Sequence, residues 1–138
     1  MPSADITISK MVTSTRASGT AIGIDIVEIS RISRAISRWQ DSFLNRIYTS
    51  RELEAKHNIS SLAARFAAKE AVMKALGTGH RGLGWKDIEV LSNGDGAPAI
   101  RLYGRALEKS AELGLARFEV SLSHSRKYAV AFVMGHAE

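Results

Sequence analysis

The chain has 138 residues, 45% of them hydrophobic, and no cysteine. That length supports one compact domain and leaves little room for a second, and the missing cysteines exclude disulfides, thiolate metal sites and a cysteine nucleophile, so any site must use oxygen and nitrogen groups. A formal charge of +5, from 19 Lys+Arg against 14 Asp+Glu, favours an anionic partner: nucleic acid, a phosphorylated small molecule or an acidic protein.

No apolar run approaches the roughly 18 residues of a membrane span, and no hydrophobic signal segment is visible. The expectation is a cytoplasmic protein with no membrane partner. Basic runs interleaved with aromatics are absent too, so nothing supports a nucleic-acid surface.

Residues 1–19 are rich in Ser and Thr without sustained periodicity and read as a flexible tail preceding a domain at 20–138. A transit peptide ranks below that reading, because Asp5 is present and arginines are few. A start at Met11 is a further alternative.

In "TAIGIDIVE" the isoleucines at 22, 24 and 26 alternate with Gly23 and Asp25, the period of a strand with its isoleucine face in the core and Asp25 pointing away. A carboxylate in such a run costs several kcal/mol of desolvation unless it is paired, hydrogen-bonded or metal-bound. Asp25 therefore requires a partner elsewhere in the chain.

Ile29, Ile32, Ile36 and Trp39 then recur at helical spacing, with Ser30 a candidate cap. Arg31, Arg34 and Arg38 form a basic stripe on another face of the same helix, which by itself reads as a solvated surface. Residues 42–58 suggest one or two short helices, with Ser50 or Thr49 as cap and Glu52 following. "SSLAARFAAKEAVMKALGTG", residues 60–79, is the strongest helix, and Gly77 stands where a C-cap belongs.

Beyond it, residues 87–92 and 98–103 read as strands joined by a turn at Asn93-Gly94-Asp95-Gly96. A helix follows, ending at Gly114. Residues 118–124 and 128–134 read as a hairpin closed by Ser125-Arg126-Lys127.

Glu70 and Lys74 lie one turn apart on the long helix, flanked by Ala63, Ala67 and Ala71, a small-residue face that leaves room for an approaching group. An ordinary surface ion pair explains the spacing by itself. Combined with Asp25, a second reading opens: Mg²⁺ takes oxygen ligands, commonly one or two carboxylates with water and substrate phosphate completing the shell, and Asp25 with Glu70 meets that demand. Lys74 would then contact phosphate, and Gly77-Thr78-Gly79 could offer backbone N–H groups as an anion nest. His124, at the end of an alternating strand, reads alone as structural or exposed.

The segments "GIDIVEISRI", "RFAAKEAVMKALGTG", "WKDIEVLSNGDGAP" and "VSLSHSRKYAVAFV" resemble, in order and spacing, the holo-acyl-carrier-protein synthase group of 4′-phosphopantetheinyl transferases, over about residues 20–134. The resemblance implies an α+β domain with an antiparallel sheet packed against a long central helix. It implies transfer of the phosphopantetheine arm of coenzyme A to a serine of an apo acyl carrier protein, with release of adenosine 3′,5′-bisphosphate. Asp25 and Glu70 then resemble the Mg²⁺ ligands, and Lys74 a lysine near the coenzyme A phosphates. Arg65, Phe66, Gly77, Thr78 and His124 fall in the implied nucleotide and phosphate pocket. Arg31 and Arg38 resemble carrier-docking arginines, and the stripe they form with Arg34 gains a purpose against an acidic carrier.

Glu70, directly or through a metal-bound water, is the expected base, and Lys69 belongs to the motif with no role assigned to it from the sequence. The resemblance also implies a homotrimer with the coenzyme A site between subunits, His124 of one chain approaching Asp25 of another. Two rivals stand beside it. A Mg²⁺-dependent nuclease would use the same residue types, usually on adjacent strands rather than a helix. A non-enzymatic module gripping an acidic helix would be indifferent to Asp25.

Overall fold

A computed structural model describes residues 19–55, 57–79 and 82–138; the tail expected at 1–19 falls outside these residues except for Gly19. Gly19 is fixed by its carbonyl, which accepts the Ala137 N–H at 2.9 Å. The elements in chain order are β1 (Thr20–Glu28), α1 (Ile29–Trp39), α2 (Asp41–Ile47), α3 (Ser50–Glu54) and α4 (Ile59–Leu76), then a 3₁₀ turn (Trp85–Asp87). They continue with β2 (Ile88–Ser92), β3 (Pro98–Leu102), α5 (Gly104–Glu112), β4 (Arg117–His124) and β5 (Tyr128–His136). An antiparallel sheet of order β1-β5-β4 packs on the long helix α4, and β2 and β3 form a separate antiparallel ladder. The expected α+β architecture is what the chain adopts.

The two faces of β1 are the reverse of the sequence expectation. Ala21, Gly23 and Val27 are buried, whereas Ile24 and Ile26 are 50% and 61% exposed. Alternation shows that two faces differ but not which one meets the helix. Here the helix presents small residues, Ala63, Ala67, Ala68, Ala71 and Ala75, all fully buried, and comes so close at Gly23 that a Cβ there would meet its backbone. The alanine face expected to leave room for a ligand is filled by the sheet, and Asp25 points to α4 as expected, away from the isoleucines.

Local chemistry explains the element ends. Ile29 N–H donates to the Lys127 carbonyl at 2.8 Å, so α1 starts at the β4–β5 hairpin with Glu28 in the cap position and no side-chain cap; Ser30 lies inside the first turn. Gln40, at φ 48°, breaks α1 from α2 without glycine or proline. Thr49 is the cap of α3, in a reciprocal box with Glu52, and Asn58 caps α4 through Ser61 N–H. The 93–96 turn is present, with Asn93 Oδ1 accepting the Ala97 N–H at 3.1 Å.

Glu52 and Lys69 are fully buried, and Lys69 Nζ donates to Glu52 Oε1 at 2.8 Å, to the Trp85 carbonyl at 3.2 Å and to the Ile88 carbonyl. Glu52 Oε2 accepts the Val90 N–H at 2.8 Å. Burial lowers the Lys69 pKa against the pull of Glu52. This answers what Lys69 does: it ties α4 to α3, the 3₁₀ turn and β2.

Candidate functional site

The first group of residues forms where β1 meets the last turns of α4. Lys74 Nζ donates to Asp25 Oδ1 at 3.1 Å, and the carboxyl group of Glu70 stands beside that of Asp25. Burial first, and then the neighbouring Asp25 carboxylate, push the Glu70 pKa up to about 7, against Arg31 and Lys74. Asp25 Oδ2 is buried with no hydrogen-bond donor among the described residues. An orphaned carboxylate oxygen beside a second carboxyl group asks for a cation, and Asp25 with Glu70 fits Mg²⁺ by donor type. Among the described residues no group of three acidic or histidine side chains could hold a metal ion, so water and substrate oxygens would have to complete its shell.

The residues expected around a nucleotide are placed less uniformly. Gly77 caps α4 at φ 77°, but its N–H donates to Lys74 O at 3.0 Å and that of Thr78 to Met73 O at 3.2 Å. Both amides close the helix end, so neither serves the expected anion nest; at a C-terminus the exposed carbonyls also repel anions. Arg65 is buried, with each guanidinium nitrogen bonded inside the chain: to Val90 O at 3.2 Å, Ser61 Oγ at 2.7 Å and Ser92 Oγ at 3.4 Å. The structure makes it a strut between α4 and β2. His124 is exposed at the end of β4, in the row of Ala129 and Val27 and two strands from β1, about 10 Å across the sheet.

Phe66 lies elsewhere than the nucleotide residues. It stacks on Trp85 at 4.9 Å and on Phe43 at 6.5 Å, with the Arg31 guanidinium 5.5 Å above its ring. Together with Ile32, Ala35, Trp39, Phe43, Arg46 and Ser42 they line a cleft of about 440 Å³ between α1 and α2. Trp39, expected on the core face, is 56% exposed at the rim, with Arg38 against its ring. Arg31, Arg34 and Arg38 are all exposed, and Arg34 donates to Ser30 Oγ at 3.3 Å. Phe43 and Arg46 carried no signal in the sequence, because only the break at Gln40 folds α2 back beside α1.

The geometry thus holds two connected features: a carboxylate pair with a lysine, and a basic, aromatic cleft joined to it by Arg31. Comparisons with known proteins identify the relatives of this chain. The model of the 4′-phosphopantetheinyl transferase superfamily matches residues 21–133. A holo-[acyl-carrier-protein] synthase of Herpetosiphon aurantiacus is 46% identical, over 82% of this chain and 95% of its own; one of Dehalococcoides mccartyi is 51% identical, over 81% and 94%. The crystal structure of the Helicobacter pylori holo-[acyl-carrier-protein] synthase in complex with coenzyme A superposes with a TM-score of 0.75 at 36% identity, covering 83% of this chain and 98% of that one. The chain belongs to the holo-[acyl-carrier-protein] synthases of the 4′-phosphopantetheinyl transferase superfamily.

Proposed function

We propose that this chain transfers 4′-phosphopantetheine from coenzyme A to a serine of an apo acyl carrier protein, with Mg²⁺ held by Asp25 and Glu70. The observation that carries the reading is the meeting of Asp25, Glu70 and Lys74, contributed by two elements, with one carboxylate oxygen unpartnered. Bound there, Mg²⁺ would neutralise the pyrophosphate and stabilise the charge on the leaving oxygen.

The chain's own groups account for the rest. Lys74, 40% exposed beside Asp25, presents its ammonium to the phosphate oxygens. The serine oxygen forms a bond to the β-phosphorus while the bond from that phosphorus to the bridging oxygen breaks, so adenosine 3′,5′-bisphosphate leaves. The serine proton passes to Glu70, directly or through a water. Thr78, half-exposed past the helix end, offers its side chain rather than its amide to the nucleotide.

The cleft receives the carrier. Arg31 and Arg46 line the cleft over an apolar floor of Ile32, Phe43 and Phe66, with Arg38 against Trp39 at its rim, which suits an acidic helix with an apolar face. Assembly of three copies is supported by the outer face of the sheet, where Ile24 pairs with Phe132 and Ile26 with Val130, and where Ile24, Ile26, Tyr128 and Phe132 remain exposed. We add to this reading that His124 of one copy serves a neighbour's Asp25, which its own chain holds two strands away. Among the described residues no helix is long and apolar enough to cross a membrane.

The test is intact-mass measurement of an apo carrier protein incubated with this chain, coenzyme A and Mg²⁺. Gain of one phosphopantetheine per carrier is expected, with near-complete loss for Asp25→Ala. A range of apo carriers that keep their mass would end the proposal, and an Asp25→Ala chain of full activity would end its metal assignment.

A further inference from the structure

Gly23 stands two residues before Asp25 and has no role in the chemistry above. Its φ is not positive, so conformational freedom is not what a glycine supplies here. Space is. A Cβ built on Gly23 would stand 1.8 Å from the carbonyl oxygen of Ala71, 2.8 Å from its carbonyl carbon and 3.0 Å from Ala75 N. These are helix backbone atoms, which cannot swing aside as the end of a side chain can. They also belong to the residues directly after Glu70 and Lys74, the two whose side chains meet Asp25. At Gly23, then, β1 touches α4, and the carboxylate pair is built one strand repeat further along the same face.

We propose that Gly23 is the positioning residue of the Asp25 and Glu70 pair: its missing Cβ sets the separation of β1 from α4, and so the span across which one divalent cation is shared. The inference rests on the metal reading above. An added methyl would fall roughly 1.6 Å short of the 3.4 Å at which ordinary contact begins, so strand or helix must retreat. Metal–ligand distances hold to about ±0.2 Å, so a retreat that the core survives is too large for a shared ion. Gly135 supplies the contrast. A Cβ there would meet the ring of Phe118 at 2.7 Å, a side chain on the β4 side of the sheet, away from β1.

Mn²⁺ binding to the full chain, followed by electron paramagnetic resonance with and without coenzyme A, tests this beside the Mg²⁺ dependence of carrier modification. Gly23→Ala is expected to weaken Mn²⁺ binding about 10-fold or more and to raise the half-activating Mg²⁺ concentration similarly, with KM for the carrier unchanged. Gly135→Ala should lower the melting temperature and leave both metal readouts alone. Asp25→Glu, one methylene longer, should weaken Mn²⁺ binding in the wild-type frame and strengthen it in the Gly23→Ala frame, an inversion that general destabilisation does not produce. Wild-type Mn²⁺ affinity in a folded Gly23→Ala chain overturns the proposal, as does an equal Asp25→Glu loss in both frames. If Gly23→Ala does not fold, Ala21→Val, pressing on the same face two residues upstream, replaces it, and wild-type affinity there overturns the proposal equally. A wild-type chain that binds no Mn²⁺ overturns the metal reading itself, and this inference with it.

Discussion

Lys74 Nζ lies 3.1 Å from Asp25 Oδ1 and 3.0 Å from the Ile24 carbonyl, so one ammonium serves both the carboxylate and the strand that carries it. Without it, two carboxyl groups face each other with less compensating charge. Lys74→Ala is expected to slow phosphopantetheine transfer by roughly 10²–10³-fold, the usual cost of removing one group that stabilises developing charge. Lys74→Arg should recover part of the loss. Single-turnover transfer followed by carrier mass is the measurement, and a rate within threefold of wild type would remove Lys74 from the chemistry.

Glu70 gives the metal-free chain a pH dependence of defined sign. Its folded pKa, about 7, exceeds the ordinary carboxylate value, so the folded state holds a proton that the unfolded state has released between about 4.5 and 7. Its contribution to stability is full below the unfolded value and is lost as pH rises through 7. Melting temperatures in chelator should fall from pH 5 to pH 8, and Glu70→Gln should flatten that slope. Added Mg²⁺ should stabilise more at pH 8 than at pH 5, since proton and metal compete for the same oxygens. A slope unaltered by Glu70→Gln would place the titration elsewhere.

Removing Lys69 leaves the Glu52 carboxylate buried without its cation. Lys69→Met is expected to cost about 3–5 kcal/mol in denaturant unfolding, the range for breaking one side of a buried ion pair. Lys69→Met with Glu52→Gln should cost clearly less than the sum of the two single changes. Additive costs would show that the pair is not coupled.

The meeting of Asp25 with Glu70 and Lys74 was legible in the sequence because Asp25 interrupts an apolar strand and Glu70 with Lys74 shares one side of a helix. Capping at Thr49, Asn58 and Gly77 is local chemistry, visible or nearly so in residue order. What failed was tertiary. The isoleucines of β1 looked like core because nothing in alternation shows that α4 arrives with alanines and needs Gly23 beneath it. Phe66 and Arg65 are adjacent on a helix yet serve opposite sides of it, one facing the cleft and one bracing β2. The Lys69 to Glu52 bond joins residues 17 apart through the packing of α3 on α4, a relation no spacing rule encodes.

Docking should divide between charge and shape. Arg38→Ala is expected to raise KM for the carrier roughly 5- to 10-fold and to weaken the salt dependence of association, as rim charges do. Phe43→Ala removes part of the apolar floor and should act through faster dissociation, by about 1–3 kcal/mol. Stopped-flow binding of an apo carrier separates the two, and unchanged kinetics for both variants would move docking away from this cleft.

Ile26→Asp places a charge on the exposed outer face of β1, opposite the side that meets α4. The monomer should fold unchanged, while light scattering after gel filtration should show the wild-type assembly reduced to single chains. If His124 acts across that interface, activity should fall together with assembly and return in part at high protein concentration. A wild-type chain that is already monomeric and active would disprove assembly on this face.

Arg31 belongs to both halves of the site: its guanidinium sits over Phe66 in the docking cleft, and its charge is one of the forces holding the Glu70 pKa down. An acidic carrier that engages Arg31 withdraws part of that restraint, so the affinity of Glu70 for a proton rises on docking. By linkage, carrier binding near neutral pH is then accompanied by proton uptake, measurable by calorimetry in buffers of different ionisation enthalpy. A proton taken up there occupies the carboxylate that the serine proton needs, so docking and the vacancy of the acceptor oppose each other through a single side chain.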